Sequence, residues 1–141
     1  MSTSSEWVVG PQGPLRSTPY PLLNTIALRA LEQATAATLP PHTLMQRAGL
    51  AMAQLTLAYA PHAQTIWIAC GGGNNGGDGL EAALHLQQWG KTVRLSLLEA
   101  TRAPPADAAA SLQRARAAGI DIQTEPPPHW DVCIDALLGL G

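Results

Sequence analysis

The chain has 141 residues, of which 46% are hydrophobic and 13% charged, so it is long and apolar enough to bury one core and is not of the disordered class. Its formal net charge is −2 and its 8 lysines and arginines are dispersed, which makes nucleic acid a poor candidate partner. No apolar run approaches the ~18 residues of a membrane span, and residues 1–21 lack the basic and apolar regions of a secretory signal.

The N-terminal part of the sequence predicts an irregular arm followed by two helices. Several prolines interrupt residues 1–21, which we expect to form a flexible arm without regular structure. Apolar residues at helical spacing predict a helix over about 22–38 and a second over about 43–59. Thr43 is the expected N-cap of the second helix.

The rest of the chain alternates between predicted strands and helices. The elements are strand 65–70, a helix from Asp78 that closes at Gly90, strand 92–98, helix 106–118, strand 120–123 and strand 131–135. The continuous apolar character of residues 65–70 is typical of a parallel strand buried on both faces. Asp78 and Glu81 have the spacing of a capping box. This order predicts an α/β fold with a parallel sheet and right-handed crossovers.

A glycine-rich loop follows the first buried strand, at residues 70–80, and reads Cys-Gly-Gly-Gly-Asn-Asn-Gly-Gly-Asp-Gly-Leu. Its glycines satisfy the G-x-G-x-x-G pattern of a dinucleotide loop, and Glu99 ends the next strand, where a ribose-binding acid could sit. Against that interpretation, a carboxylate at the start of a helix repels phosphate. Asp78 in that position suits a cation, a hydroxyl group or a ligand N–H better.

The polar residues of this loop and of the last strand are candidate site residues. Asn74 and Asn75 offer carbonyl oxygens to a hard cation and amide groups to a sugar or carboxamide. Asp135 is expected at the carboxyl end of the last strand as a buried acid, which needs a partner such as a cation shared with Asn75. Two structural alternatives stay open: Asp78 acts only as an N-cap beside turn-forming asparagines, and Asp135 only caps the turn that follows it.

Cysteine and histidine usage indicates neither a catalytic thiol nor a histidine metal site. Cys70 and Cys133 are predicted to be free, buried thiols in a reducing compartment, which favours the cytoplasm. No histidine is adjacent to either cysteine in sequence, and the 4 histidines have no mutual metal-ligand spacing.

Four segments together resemble one known family. The loop at residues 71–80 is similar to the signature loop of the YjeF N-terminal domain family, the NAD(P)H-hydrate epimerases. Residues 29–32, 44–49 and 135–141 resemble three further motifs of that family in the same order. The resemblance covers residue 23 to the end and implies a Rossmann-like three-layer α/β/α sandwich with a mostly parallel sheet. Residues 22–141 would be the N-terminal portion of that domain, truncated at the C-terminus.

The resemblance also implies an activity, the interconversion of the R and S epimers of hydrated NADH or NADPH at C6 of the nicotinamide ring. It implies a bound K⁺ ion with Asn75 and Asp135 as ligands. It implies substrate contacts from Asn74, Asn75, Gly76, Gly77, Asp78, Gly139, Leu140 and Gly141. Leu140 departs from the family, which usually has a small polar residue there. The principal acid/base is not identified and is expected beyond Gly141, so this chain is expected to have weak activity or none.

The family implies partners as well as an activity. An ADP-dependent dehydratase, fused or separate, is the implied partner enzyme, and a homo-oligomer is compatible with the resemblance. The alternative function is a non-catalytic nucleotide-binding or protein-interaction module on the same fold. A conventional dehydrogenase half is a third interpretation, and it requires tight NAD binding without potassium.

Overall fold

The computed structural model describes residues 8–10, 13–15, 22–98 and 102–139, and for residues 8–10 and 13–15 it describes the backbone only. The chain divides into two compact units, residues 1–32 and 33–141. The boundary between the units lies within helix α1 (Thr25–Ala36). None of the described helices is long and apolar enough to cross a membrane.

The N-terminal unit contains a short antiparallel pair of strands, β1 (Val8–Gly10) and β2 (Gly13–Leu15). The prediction of an arm without regular structure is therefore wrong for these two strands, although Pro14 lies in one of them. A two-stranded ladder accepts proline because each strand has an outer side on which no N–H is needed. Much of residues 1–21 lies outside the described residues, so the flexibility of the arm stays a prediction.

The two N-terminal helices form where the apolar spacing predicted them, with different caps. Helix α1 is shorter than predicted because the side-chain oxygen of Asn24 accepts a hydrogen bond from the N–H of Ala27 (2.9 Å) and caps the helix. Helix α2 (Thr43–Tyr59) has the predicted bounds. Its N-cap is His42, at φ 67°, whereas the hydroxyl of Thr43 donates to the carbonyl of Pro40 (2.7 Å). The prediction of Thr43 as the N-cap is therefore wrong.

A four-stranded parallel sheet forms the centre of the second unit. Its strands are β3 (Thr65–Cys70), β4 (Thr92–Leu97), β5 (Asp121–Gln123) and β6 (Val132–Ala136), in the spatial order β5-β4-β3-β6. Helix α3 (Asn74–Gln88) connects β3 to β4, and helix α4 (Ala106–Ala117) connects β4 to β5. The predicted α/β fold with a parallel sheet is confirmed, and β4, β5 and β6 differ from their predicted bounds by only one residue at either end.

Helix α3 covers one face of the sheet and is flanked by α2 and α4. The side chains of Ile66 and Ile68 on β3 and of Leu86 on α3 are fully buried in this core. The helices pack closely, since a Cβ added at Gly49 of α2 would lie 2.2 Å from the Cβ of Glu81 on α3. The small residues of α2 therefore set the distance between the two helices.

The opposite face of the sheet is covered differently. The indole N–H of Trp67 on β3 donates to the hydroxyl of Ser96 on β4 (3.0 Å), and that hydroxyl donates to the carbonyl of Glu125 (2.8 Å). The ring of Trp130 lies 4.7 Å from that of Trp67. Within residues 33–98 and 102–139, the connection from β5 to β6 lies on this face, and these residues show no second helical layer there.

Cys133 is exposed, contrary to the prediction of two buried thiols, whereas Cys70 is buried and both are free. Cys133 alternates along β6 with Ala136 and Ile134, which face α3, so its side chain points to the other face. Strand β6 pairs only with β3 in the described part of the chain, so one edge of it is uncovered there.

The two thiols are expected to react at very different rates. Burial raises the pKa of the Cys70 thiol to about 12, so its reactive thiolate is scarce at pH 8. Partial burial and the Asp135 carboxylate also raise the pKa of Cys133, but its sulfur is accessible. A chromogenic disulfide reagent should therefore modify Cys133 in the native protein and Cys70 only after denaturation. Cys133→Ser should abolish the native-state reaction, and equal reactivity of both native thiols would contradict the structure.

Candidate active site

Helix α3 begins at Asn74, four residues before the predicted start at Asp78. Its N-cap is Gly73, which has no side chain that could cap the helix. The first bond within the helix runs from the N–H of Gly77 to the carbonyl of Gly73 (3.1 Å). Asp78 therefore lies in the second turn and is half-buried there. The prediction of Asp78 as the helix cap is wrong, because packing of the glycines outweighs their low helix propensity.

This start changes the electrostatics expected at the loop. The N–H groups of Asn74, Asn75 and Gly76 precede the first bond within the helix, and such first-turn amides attract anions together with the helix dipole. No carboxylate belongs to the first turn. The objection to a phosphate at this position, which depended on Asp78, therefore no longer holds.

Glu81 also has a role other than the predicted capping box. Its carboxylate is buried, with 3% of the residue exposed, and it accepts hydrogen bonds from the guanidinium of Arg114 on α4. Arg114 donates in addition to the hydroxyl of Ser111 (3.1 Å), which lies 3.2 Å from the sulfur of Met45 on α2. These four side chains connect helices α2, α3 and α4 to one another. Glu81 and Arg114 are far apart in sequence, so local spacing does not predict their pairing. The capping-box prediction for Glu81 is therefore wrong.

Three glycines of the loop are required by close contacts. A Cβ added at Gly71 would lie 2.0 Å from the carbonyl oxygen of Leu137, and one at Gly76 would lie 1.8 Å from the carbonyl oxygen of Gly71. A Cβ added at Gly77 would lie 2.5 Å from the sulfur of Met45. Gly76 and Gly77, both predicted to contact substrate, are buried against protein atoms, so any contact with a ligand must use their backbone.

A second loop, which follows β6, lies directly against the first. The side-chain N–H of Asn75 donates to the carbonyl of Leu138 (2.9 Å), and a Cβ added at Gly139 would lie 3.3 Å from the Cβ of Asn75. The N–H of Gly71 donates to the carbonyl of Ala136 (3.0 Å). The structure therefore brings together the Asn75 and Gly139 predicted from sequence. Leu140 and Gly141, also predicted to contact substrate, lie outside the described residues.

Asp135 is exposed, so the prediction of a buried acid is wrong. One oxygen of its carboxylate accepts a hydrogen bond from the N–H of Leu137 (3.0 Å), as in the turn-capping alternative. The side chain emerges on the face opposite α3, because Ala136 beside it faces that helix. Asn74 is exposed at the first turn of α3 and available to solvent.

A metal ion at this site would depend on oxygen atoms of mixed origin. Within residues 22–98 and 102–139, no group of three or more His, Cys, Asp or Glu side chains could hold a metal ion. Asn75 and the carbonyl of Leu138 meet at the two loops, whereas the carboxylate of Asp135 accepts from the N–H of Leu137 and is not brought into contact with Asn75. Amide, carbonyl and carboxylate oxygens are compatible with a hard cation and unsuited to a soft one.

The two loops meet where the direction of the sheet reverses. The chain moves from β3 outward to β4 and β5, and then returns to place β6 on the other side of β3. In open α/β sheets, ligands bind at such a point, outside the carboxyl ends of the strands. Fold and site together define an α/β protein with a ligand site between the β3–α3 loop and the loop after β6.

Comparison with known families identifies the particular group. The family described as YjeF-related protein N-terminus matches residues 41–141, and the chain belongs to this family. The chain is 40% identical over 110 residues to the NAD(P)H-hydrate epimerase of Rhodopirellula baltica, covering 73% of this chain and 45% of that protein. It is 36% identical over 116 residues to the NAD(P)H-hydrate epimerase of Achromobacter xylosoxidans, a match that covers 81% of this chain and 55% of that protein.

Longer relatives and a solved structure are also similar. The protein named bifunctional NAD(P)H-hydrate repair enzyme Nnr in Coxiella burnetii is 36% identical over 118 residues, a match that covers 81% of this chain and 24% of that protein. The crystal structure of yeast ynu0, YNL200c, superposes on this chain with a TM-score of 0.62 at 19% sequence identity. The match covers 79% of this chain and 55% of the yeast chain, and it supports the α/β fold. The chain spans about half the length of the curated epimerases that it matches.

Proposed function

We propose that this chain carries the substrate site of an NAD(P)H-hydrate epimerase, an isomerase of hydrated NADH or NADPH. The observation that supports this best is the contact between Asn75 and Leu138, because it joins two motif loops 63 residues apart at the point where the sheet reverses direction. The names of the epimerase relatives supply the reaction. The substrate is a small molecule with an anionic pyrophosphate.

The first turn of α3 is proposed to hold the pyrophosphate. The N–H groups of Asn74, Asn75 and Gly76 supply hydrogen bonds and a positive helix end without a competing carboxylate in that turn. The glycines at 71 and 76 let the backbone of the two loops approach closely, so that the bound dinucleotide lies between them. Gly139, Leu140 and Gly141 are proposed to contact the substrate from the second loop.

The carboxylates are proposed to act electrostatically at the nicotinamide end. In the hydrate, C6 carries a hydroxyl group beside a ring nitrogen. When that hydroxyl leaves as water with an added proton, the ring becomes an iminium-type cation, and water then returns to either face and loses a proton. The negative charges of Asp78 and Asp135 favour such a cation. The principal acid/base is not assigned to a residue.

Asn75 and Asp135 are proposed as potassium ligands. The side-chain nitrogen of Asn75 is used in the bond to Leu138, so its carbonyl oxygen is the atom that a cation would bind. A bound K⁺ would supply a fixed positive charge that orients the carboxylate and the substrate. The proposed partner enzyme is an ADP-dependent dehydratase, and the proposed location of both is the cytoplasm.

Replacing Asn75 with alanine should lower the weak R-to-S interconversion of hydrated NADPH to near the spontaneous rate, since the two loops lose their connection and the substrate is misplaced. Chromatographic separation of the epimers measures the rate. Gln88→Ala, at the exposed end of the same helix, should leave the rate unchanged. If Asn75→Ala is as active as the wild type, the proposed site is wrong. If the chain binds the dinucleotide but accelerates nothing, the non-catalytic binding module is the better interpretation.

A further inference from the structure

A groove of about 440 Å³ opens at the carboxyl ends of β3, β4 and β5. It lies on the β5 side of the glycine loop, whereas the second loop lies on the β6 side. Its walls include Gly71 and Gly72 of the loop, Leu97 and Ile122 of the strands, and the face of α4 that carries Leu112 and Arg116. The site described above does not account for this groove.

The chemistry of the groove suits an adenosine group with an added negative charge. Its volume lies in the range of small-molecule sites, and its aliphatic walls would remove a flat heteroaromatic ring from water. Arg116 is the one charged side chain among the described residues that line it, and no acid is among them. A guanidinium group in such a place binds phosphate through paired hydrogen bonds.

Two positions suited to anions lie in and beside the groove, namely Arg116 in its wall and the first turn of α3 near one end. That end lies near Ala108, whose Cα is 3.1 Å from a Cβ added at Gly77, close to the first turn of α3. Arg116 lies eight residues further along α4, about 12 Å along the helix axis. A ligand that uses both the first-turn amides and Arg116 must therefore carry two phosphate groups that are apart from each other.

We propose that Arg116 binds the 2′-phosphate of the substrate's adenosine half, so that hydrated NADPH is preferred over hydrated NADH. The inference rests on the proposed function and adds the preference between its two substrates. In sequence, Glu99 follows the last residue of β4 by two positions, the region in which an acid selects unphosphorylated ribose. Glu99 lies outside the described residues, and it predicts the opposite preference, so binding measurements decide between the two side chains.

The test is calorimetric titration of the full chain with adenosine 2′,5′-bisphosphate and with 5′-AMP. The bisphosphate should bind at least about tenfold more tightly, the value of one charge-assisted contact. Arg116→Ala should remove that advantage without weakening 5′-AMP, and Arg116→Lys should keep part of it. Arg47→Ala, an exposed arginine of α2 outside the groove, should change neither affinity.

Several results would overturn the proposal. These are equal affinity for both ligands, tighter binding of 5′-AMP, no binding of either ligand, or an advantage that persists in Arg116→Ala. The epimerisation assay separates this failure from failure of the proposed function. A chain that epimerises both hydrates equally well loses only the 2′-phosphate preference, whereas one that binds the bisphosphate but epimerises neither hydrate keeps the groove and loses the activity.

Discussion

Replacing Gly76 with alanine is expected to lower the free energy of unfolding by about 3 kcal/mol. The new Cβ would lie 1.8 Å from the carbonyl oxygen of Gly71, and that atom belongs to the backbone and cannot rotate away. The glycine loop would have to separate from the first turn of α3, which would also displace the amides proposed to bind phosphate. Urea unfolding followed by circular dichroism measures the change.

Gly73→Ala is the matched control in the same loop. A Cβ at Gly73 meets nothing within 4 Å and its φ is −99°, a conformation open to alanine. Its cost should be about 1 kcal/mol or less, the loss expected when alanine replaces glycine at an N-cap. Equal destabilisation by Gly76→Ala and Gly73→Ala would show that the contact between Gly76 and Gly71 is absent.

Replacing Arg114 with alanine should also lower the free energy of unfolding by about 3 kcal/mol. The carboxylate of Glu81 is almost fully buried, and Arg114 is the cation that compensates it. Without Arg114 a buried charge loses its partner, and the connection between α3 and α4 through Ser111 weakens. Thermal and urea unfolding measure the loss. Glu81→Gln combined with Arg114→Ala should recover part of it, because the amide has no charge to compensate.

An exposed ion pair provides the comparison for Arg114. Arg94 on β4 pairs with Asp121 on β5, and about half of the Arg94 side chain is exposed. Hydrogen bonds from Gln123 and Arg94 lower the pKa of Asp121. Exposed ion pairs nevertheless contribute less than about 1 kcal/mol to the free energy of unfolding. Arg94→Ala should therefore cost far less than Arg114→Ala. Similar losses in both variants would contradict the burial of the Glu81–Arg114 pair.

The fold was predictable because its signals are local and periodic. The apolar run at Thr65–Cys70 has the length and composition of a buried parallel strand, and the structure places the strand at those residues. Gly90 and Gly119 end their helices with positive φ values of 81° and 72°, as glycines that follow helices do. The alternation of strands and helices then leaves a parallel sheet as the main solution.

The start of α3 was not predictable, because its cause is not local. Glycine has a low helix propensity, and the sequence around residues 74–77 therefore read as a loop that ended at Asp78. In the folded chain, Gly77 lies between Met45 and Ala108, so the first turn is held by helices α2 and α4. The same reason hid the pairing of Glu81 with Arg114, which lies 33 residues away.

The candidate site was predictable in position but less so in chemistry. Parallel strands deliver their carboxyl ends to one edge, so the loops after β3 and β6 were expected on the same edge, and the pairing of β6 with β3 makes them neighbours, as Asn75 and Leu138 are. Asp135 was expected to be buried because its strand is apolar. It is exposed because its side chain emerges on the face of the sheet opposite α3, where the described residues show no helical layer. Its role as a potassium ligand stays a prediction.

The rate of R-to-S interconversion of hydrated NADPH by the wild-type chain tests the central claim most directly. It should be measured by chromatography in potassium chloride and, at the same ionic strength, in lithium chloride. Because the principal acid/base is not among the assigned residues, the proposed site predicts a rate only weakly above the spontaneous one in potassium and a lower rate in lithium. A rate equal to the spontaneous one in both salts, from a folded chain that also fails to bind NADPH, would contradict the claim that these two loops form an epimerase site.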